Sequence, residues 1–85
     1  MSNKTIRRDM VRALAENGAA VSPNNSTDLA HDSVIYCGSG GDIKVDTVNG
    51  DTLTFVGVVG GSTLPVKVRR VYTTGTDASN MIACW

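Results

Sequence analysis

From Ser33 onward, turn signals divide the chain into five short runs: SVIYC at 33–37, DIKVDT at 42–47, TLTFVGV at 52–58, TLPVKVRRVY at 63–72 and NMIACW at 80–85. Short runs bounded by GSGG, VNGD, a Gly60-Gly61-Ser62 turn and TTGTDAS fit strands. Apolar residues alternate within them. Ile43 and Val45 share one face of the second run and Leu53 and Phe55 one face of the third. Leu64, Val66 and Val68 share one face of the fourth, with Pro65, Lys67 and Arg69 opposite. Eleven Val and nine Thr against four Leu and four Ile point the same way, because β-branched side chains suit a pleated surface better than a helix. Asn49-Gly50 is a strong hairpin signal, since both residues tolerate positive φ. GSGG at 38–41 reads as a hairpin turn and not a phosphate cradle, because Asp42 and a strand follow it instead of Lys-Ser/Thr and a helix. Pro65 cannot donate to a ladder, so the fourth run is an edge strand or is broken there. Its phase slips at Arg69-Arg70, which predicts a β-bulge. The expectation is a mainly β chain: a small antiparallel β-barrel or sandwich over about residues 33–85.

The leading stretch differs. Ile6, Met10 and Leu14 recur at four-residue steps with Val11 and Ala13 beside them, Thr5 can cap the start and Gly18 can end it. This predicts a helix over about residues 5–16. Residues 1–20 carry a net +2 and residues 21–85 a net −2. Residues 21–32, VSPNNSTDLAHD, are polar and turn-rich and read as a linker or extended arm. The chain thus divides into an arm at 1–32 and a β domain at 33–85. A helix this short is marginal alone, so Ile6, Met10 and Leu14, with Arg7, Arg8 and Arg12, are candidate contacts to a partner or a neighbouring subunit.

At 85 residues the chain is one domain with little room for a deep pocket beside its core. Eight basic residues balance eight acidic ones, which argues against a dedicated nucleic-acid binder, although Lys67, Arg69 and Arg70 beside Tyr72 leave a single-strand-binding barrel as a lesser alternative. No run approaches the about 20 apolar residues of a membrane helix, and the first residues lack a secretory apolar stretch, so a cytosol-like site of synthesis is expected. His31, near Asp28, Asp32 and Ser33, sits in a turn-rich segment without a nucleophile elbow and reads as a loop histidine. His31, Cys37 and the aspartates have no known zinc spacing, and the aspartates do not alternate within one loop as calcium sites do. No catalytic, metal or cofactor site is expected. Cys37 and Cys84 are free, bonded within one subunit, or bonded between subunits.

The order TDL, an aromatic strand with a glycine turn, GDIKVDT, NGDTLTFVGV, GGSTLPVKVRRVYTTGTDAS and MIACW resembles the small head-spike (head-fibre) base and capsid decoration proteins of tailed phages and gene transfer agents. The resemblance spans about residues 21–85. Its matching positions are Asp42, Phe55, Gly57, Leu64, Pro65, Val66, Val68, Val71, Thr74, Gly75, Thr76 and Trp85, most of them fold residues. It implies a structural virion protein, made in the host cytoplasm and carried on the capsid surface, with no enzymatic activity. It implies a homo-oligomeric ring, such as a pentamer, that meets the major capsid protein and holds a fibre or spike. A trimeric capsid cement or a neck or collar protein is the alternative within the same class. The extension at 1–20 and the two cysteines lie outside this pattern.

Overall fold

The computed structural model describes residues 14–85. Seven strands follow in order: β1 (Gly18–Ala20), β2 (Val34–Ser39), β3 (Gly41–Thr47), β4 (Thr52–Val58), β5 (Ser62–Thr63), β6 (Val68–Val71) and β7 (Ser79–Cys84). They form two antiparallel sheets, one in the order β1-β7-β2-β5 and the other β4-β3-β6. This is the sandwich of the two expected alternatives, and no closed barrel forms among the described residues. Ile35, Cys37, Met81 and Ala83 from the first sheet meet Ile43, Val45, Val68 and Val71 from the second, with Leu64 and Ala78 completing the core. Burying each of the larger aliphatic side chains contributes about 1.5–3 kcal/mol.

Four of the five expected strands are found to within two residues at each end. The fourth run splits at Pro65: β5 ends at Thr63 and β6 begins at Val68. The bulge expected at the arginines is present, since Asp46 pairs with Arg70 and the next residue, Thr47, with Val68, leaving Arg69 as the extra residue. Both Val68 and Val71 therefore face the core despite their odd spacing. A second bulge lies at Val56-Gly57, where Gly57 N–H donates to Asp42 Oδ1 at 2.9 Å.

Two expectations are corrected. GSGG is not a hairpin turn: β2 and β3 belong to different sheets, and the chain crosses between them at Gly40. A Cβ on Gly40 would lie 2.5 Å from the Val58 carbonyl oxygen, so the crossing needs glycine for close approach. By contrast, the hairpin expected at Asn49-Gly50 forms: β3 and β4 pair across the loop 48–51, where Gly50 takes positive φ (96°) and its N–H donates to the Thr47 carbonyl. Gly18 does not end a helix. It opens β1 opposite Cys84, and no helix occurs among the described residues. Most of the expected helix at 5–16 lies outside the described residues.

The polar segment 21–32 is tied down by hydrogen bonds. Val21 N–H donates to Met81 O, Asn24 N–H to Val71 O and Leu29 N–H to Arg69 O, while Ser33 bridges Val68. The Asn25 side chain accepts from Thr73 N–H and Thr74 N–H, both at 3.0 Å. The outer edge of β6 is covered in this way by the chain itself.

Candidate assembly surface

Strand register decides what each sheet shows to solvent. On the outer face of the first sheet, Ala20, Ile82, Tyr36 and Thr63 form one row, and Gly18, Cys84 and Val34 the next. Neither row contains a charge. With Leu14 and Ala15 the face forms an apolar groove of about 400 Å³. Leu14 is 71% exposed, Tyr36 40% and Ile82 36%. The outer face of the second sheet is the opposite kind of surface. It carries Asp42, Lys44 and Asp46 on β3, flanked by Thr52, Thr54, Arg70 and Tyr72, and Asp46 bonds there to Thr52 and Tyr72.

Asp46 is the centre of that network and is only 4% exposed. Its carboxylate accepts from Thr52 Oγ1 at 2.6 Å and Tyr72 Oη at 2.7 Å, with Arg69 Nη2 3.8 Å away. The hydrogen bonds from Thr52 and Tyr72 hold its pKa below the ordinary carboxylate value, against the opposing pull of burial, with help from the Arg69 and Arg70 charges. Arg70 pairs with Asp28 at 2.8 Å, and Lys44 and Arg70 both approach the Tyr72 ring. The basic side chains that could track a nucleic-acid backbone are thus engaged within the molecule, with Lys67 alone among them exposed and unpaired among the described residues.

Of the expected contact residues, Ile6, Arg7, Arg8, Met10 and Arg12 lie outside the described residues, and Leu14 lines the apolar groove. Leu64 and Val68 are core residues, and Phe55, Val66 and Trp85 pack against the core half-buried. Pro65 is exposed at the break between β5 and β6, Gly57 sits in the β4 bulge, and Gly75 lies against the Lys44 stem. Leu53, expected inside with Phe55, is 41% exposed because β4 is a sheet edge. Both cysteines are free thiols. Cys37 is wholly buried in the core and Cys84 is on the opposite, outer face of the same sheet, so one sheet separates them. His31 is exposed but stacks on Trp85, with ring centroids 4.4 Å apart. Sequence reasoning did not single out Asp46 or the Tyr36-Ile82 row. The row was accessible in principle, through the alternation of Tyr36 with Ile35 and Cys37. Among the described residues no cluster of three or more His, Cys, Asp or Glu could hold a metal ion, and no helix is long and apolar enough to cross a membrane.

Fold and surface together define a small two-sheet antiparallel β-sandwich with one polar, internally bonded outer face and one apolar outer face. No protein-family model and no curated protein matches the sequence. Among solved structures, a chain in the capsid of a native GTA (gene transfer agent) particle, computed with C5 symmetry, matches with a TM-score of 0.74 and 32% sequence identity, covering 84% of this chain and 83% of that one. The chain belongs to the family of that capsid chain.

Proposed function

We propose that this protein is a structural, non-catalytic component of the capsid surface of a phage or gene transfer agent: a ring-forming head-spike or fibre base, or a decoration protein. Its leading arm, through Ile6, Arg7, Arg8, Met10, Arg12 and Leu14, docks on the major capsid protein or on a neighbouring subunit. The observation that carries the reading is the likeness to a chain in a GTA capsid computed with C5 symmetry, together with an uncharged apolar sheet face of the kind that marks interaction sites on small soluble domains. The internal pairing of Arg70 and Lys44 favours this reading over a single-strand-binding surface.

Mass spectrometry and cryo-electron microscopy of purified particles test it. The expected result is density for this sandwich on the outer shell, in a copy number that is a multiple of five. Copies far in excess of the vertices, at local threefold positions, would point to cement instead. Purified particles lacking the chain would overturn the capsid reading itself.

A further inference from the structure

The hydrogen-bonding edges of the two sheets are unequal. The outer edge of β6 is covered by residues 24–33, and the β5 edge is two residues long. β4 is different. It runs for seven residues without charge or proline, and the uncharged run continues through Val59, Gly60 and Gly61. Val56 is 78% exposed and Val59 71%. Among the described residues, the Thr52–Val58 backbone pairs only with β3. A long, uncharged, uncovered edge is what natural sheets avoid unless something pairs with it.

The direction of the unpaired groups can be worked out. Lys44 N–H donates to Thr76 Oγ1, and Lys44 O accepts from Tyr72 N–H, so the Lys44 backbone is turned away from β4. In an antiparallel pair, the residue opposite such a position also turns its N–H and C=O away. That residue is Thr54, and by the same alternation Thr52, opposite Asp46, does likewise. At the other open edge, Asn17 and Trp85 exchange N–H···O bonds, and Val21 N–H donates to Met81 O. Alternation then leaves the N–H and C=O of Gly18 and Ala20 pointing outward from β1. Among the described residues, each edge thus offers two donor–acceptor residues without a partner, spaced two apart. Small side chains at Gly18, Ala19 and Ala20 leave the β1 backbone open to approach.

The two edges also face opposite ways. β4 continues through 59–61 into β5, placing it on the β5 flank, whereas β1 continues through 21–24 to the β6 flank. Unlike edges on opposite flanks make a head-to-tail contact, which closes into a ring when the rotation allows.

We propose that copies of this chain join edge to edge, Thr52 and Thr54 of β4 in one copy bonding to Gly18 and Ala20 of β1 in the next, so that the first sheet of each copy continues into the second sheet of its neighbour. The proposal names the subunit contact of the ring proposed above and rests on that reading for its closure.

Paired cysteines test it in a Cys84→Ala background, on the purified full-length chain under mild oxidation. Opposite residues on paired strands have Cβ atoms about 4.5–5.5 Å apart, within disulfide reach after small adjustment. The expected result is that Ala20→Cys combined with Thr52→Cys, opposite each other in an antiparallel join, or Ala19→Cys combined with Thr54→Cys in a parallel one, gives a ladder of covalent oligomers on non-reducing gels, while each single variant gives none. Covalent dimers from Thr54→Cys alone would show β4 pairing with β4 and overturn the proposal, as would a wild-type chain that sediments only as a monomer at tens of micromolar. Thr54→Pro removes an outward N–H and no internal ladder bond. It should keep the wild-type melting profile and weaken self-association by about tenfold or more. If that variant misfolds, the cysteine ladder still decides. A chain that forms the ladder but is absent from purified particles keeps the edge pairing and removes the capsid reading. A chain present in particles whose cysteine pairs do not cross-link does the reverse.

Discussion

Asp46 shows how one buried carboxylate ties the second sheet together. Its hydroxyl donors come from β4 (Thr52) and from just past β6 (Tyr72), so a single side chain on the central strand links both neighbours. Its folded pKa lies below the unfolded value, so the ionised form is the stabilising one. That contribution is complete above the ordinary carboxylate pKa of about 4 and is lost as pH falls through the depressed folded value. Asp46→Asn should therefore melt well below wild type at neutral pH, and the gap should narrow steadily as pH drops below about 4. Thermal melts across pH check this, and a gap that stays constant would mean that ionisation is irrelevant. Tyr72→Phe removes one charge-assisted hydrogen bond and should cost about 1.5 kcal/mol at neutral pH. None of this was visible in the sequence, where Asp46 is one of six scattered aspartates after residue 20 and nothing marks the one that three strands enclose. His31 is the parallel case. It reads correctly as a loop residue, yet it stacks on Trp85, the only tryptophan. His31→Ala should expose the indole, shift its emission to longer wavelength and cost about 0.5–1 kcal/mol. Unchanged emission would mean that the rings do not stack in solution.

Strand positions were legible and sheet membership was not. Alternation and turn residues locate β2, β3, β4 and β7 because they report local backbone preference, and the Arg69 bulge shows up as a slip in that same alternation. A turn signal does not say which sheet the next strand enters. GSGG has the composition of a hairpin, but its glycines serve a crossing where backbone meets backbone. Gly40→Ala tests this. The added methyl cannot avoid the Val58 carbonyl without moving one strand, so a loss of about 3 kcal/mol or more is expected, read as a drop in the denaturation midpoint. Gly50→Ala has open space around it and should cost only the about 1–2 kcal/mol of a left-handed alanine. Equal costs at the two positions would refute the crossing argument. β1 was missed for a related reason. Gly-Ala-Ala has neither alternation nor β-propensity, and it is extended because β7 offers an edge to pair with. The asparagines of residues 21–32 looked like linker polarity, whereas Asn24 and Asn25 spend it on their own turn and on the 73–74 loop.

At the scale of the whole molecule, the two outer faces make different demands. The outer face of the second sheet makes the smaller demand, because Asp46, Thr52, Tyr72, Arg70 and Lys44 already find partners within the molecule. The first sheet leaves Val34, Tyr36, Ile82 and Cys84 in an uncharged surface with Leu14 at its rim. On a domain this small, such a face is unfavourable in water and favourable once covered. If the capsid or a neighbouring subunit covers it, a charge placed there should cost little in the isolated fold and much in assembly. Tyr36 is 40% exposed, so Tyr36→Lys should change the stability of the purified chain by less than about 1 kcal/mol. In particles it would bury an unpaired ammonium, and the number of copies retained per purified particle should fall by about tenfold or more. Lys67→Glu, an exposed change of charge away from that face, is the matched control and should leave copy number unchanged. Normal incorporation of Tyr36→Lys would mean that the apolar face stays in contact with water in the particle. The contacts that hold the protein there would then have to come from the β1 and β4 edges and the arm.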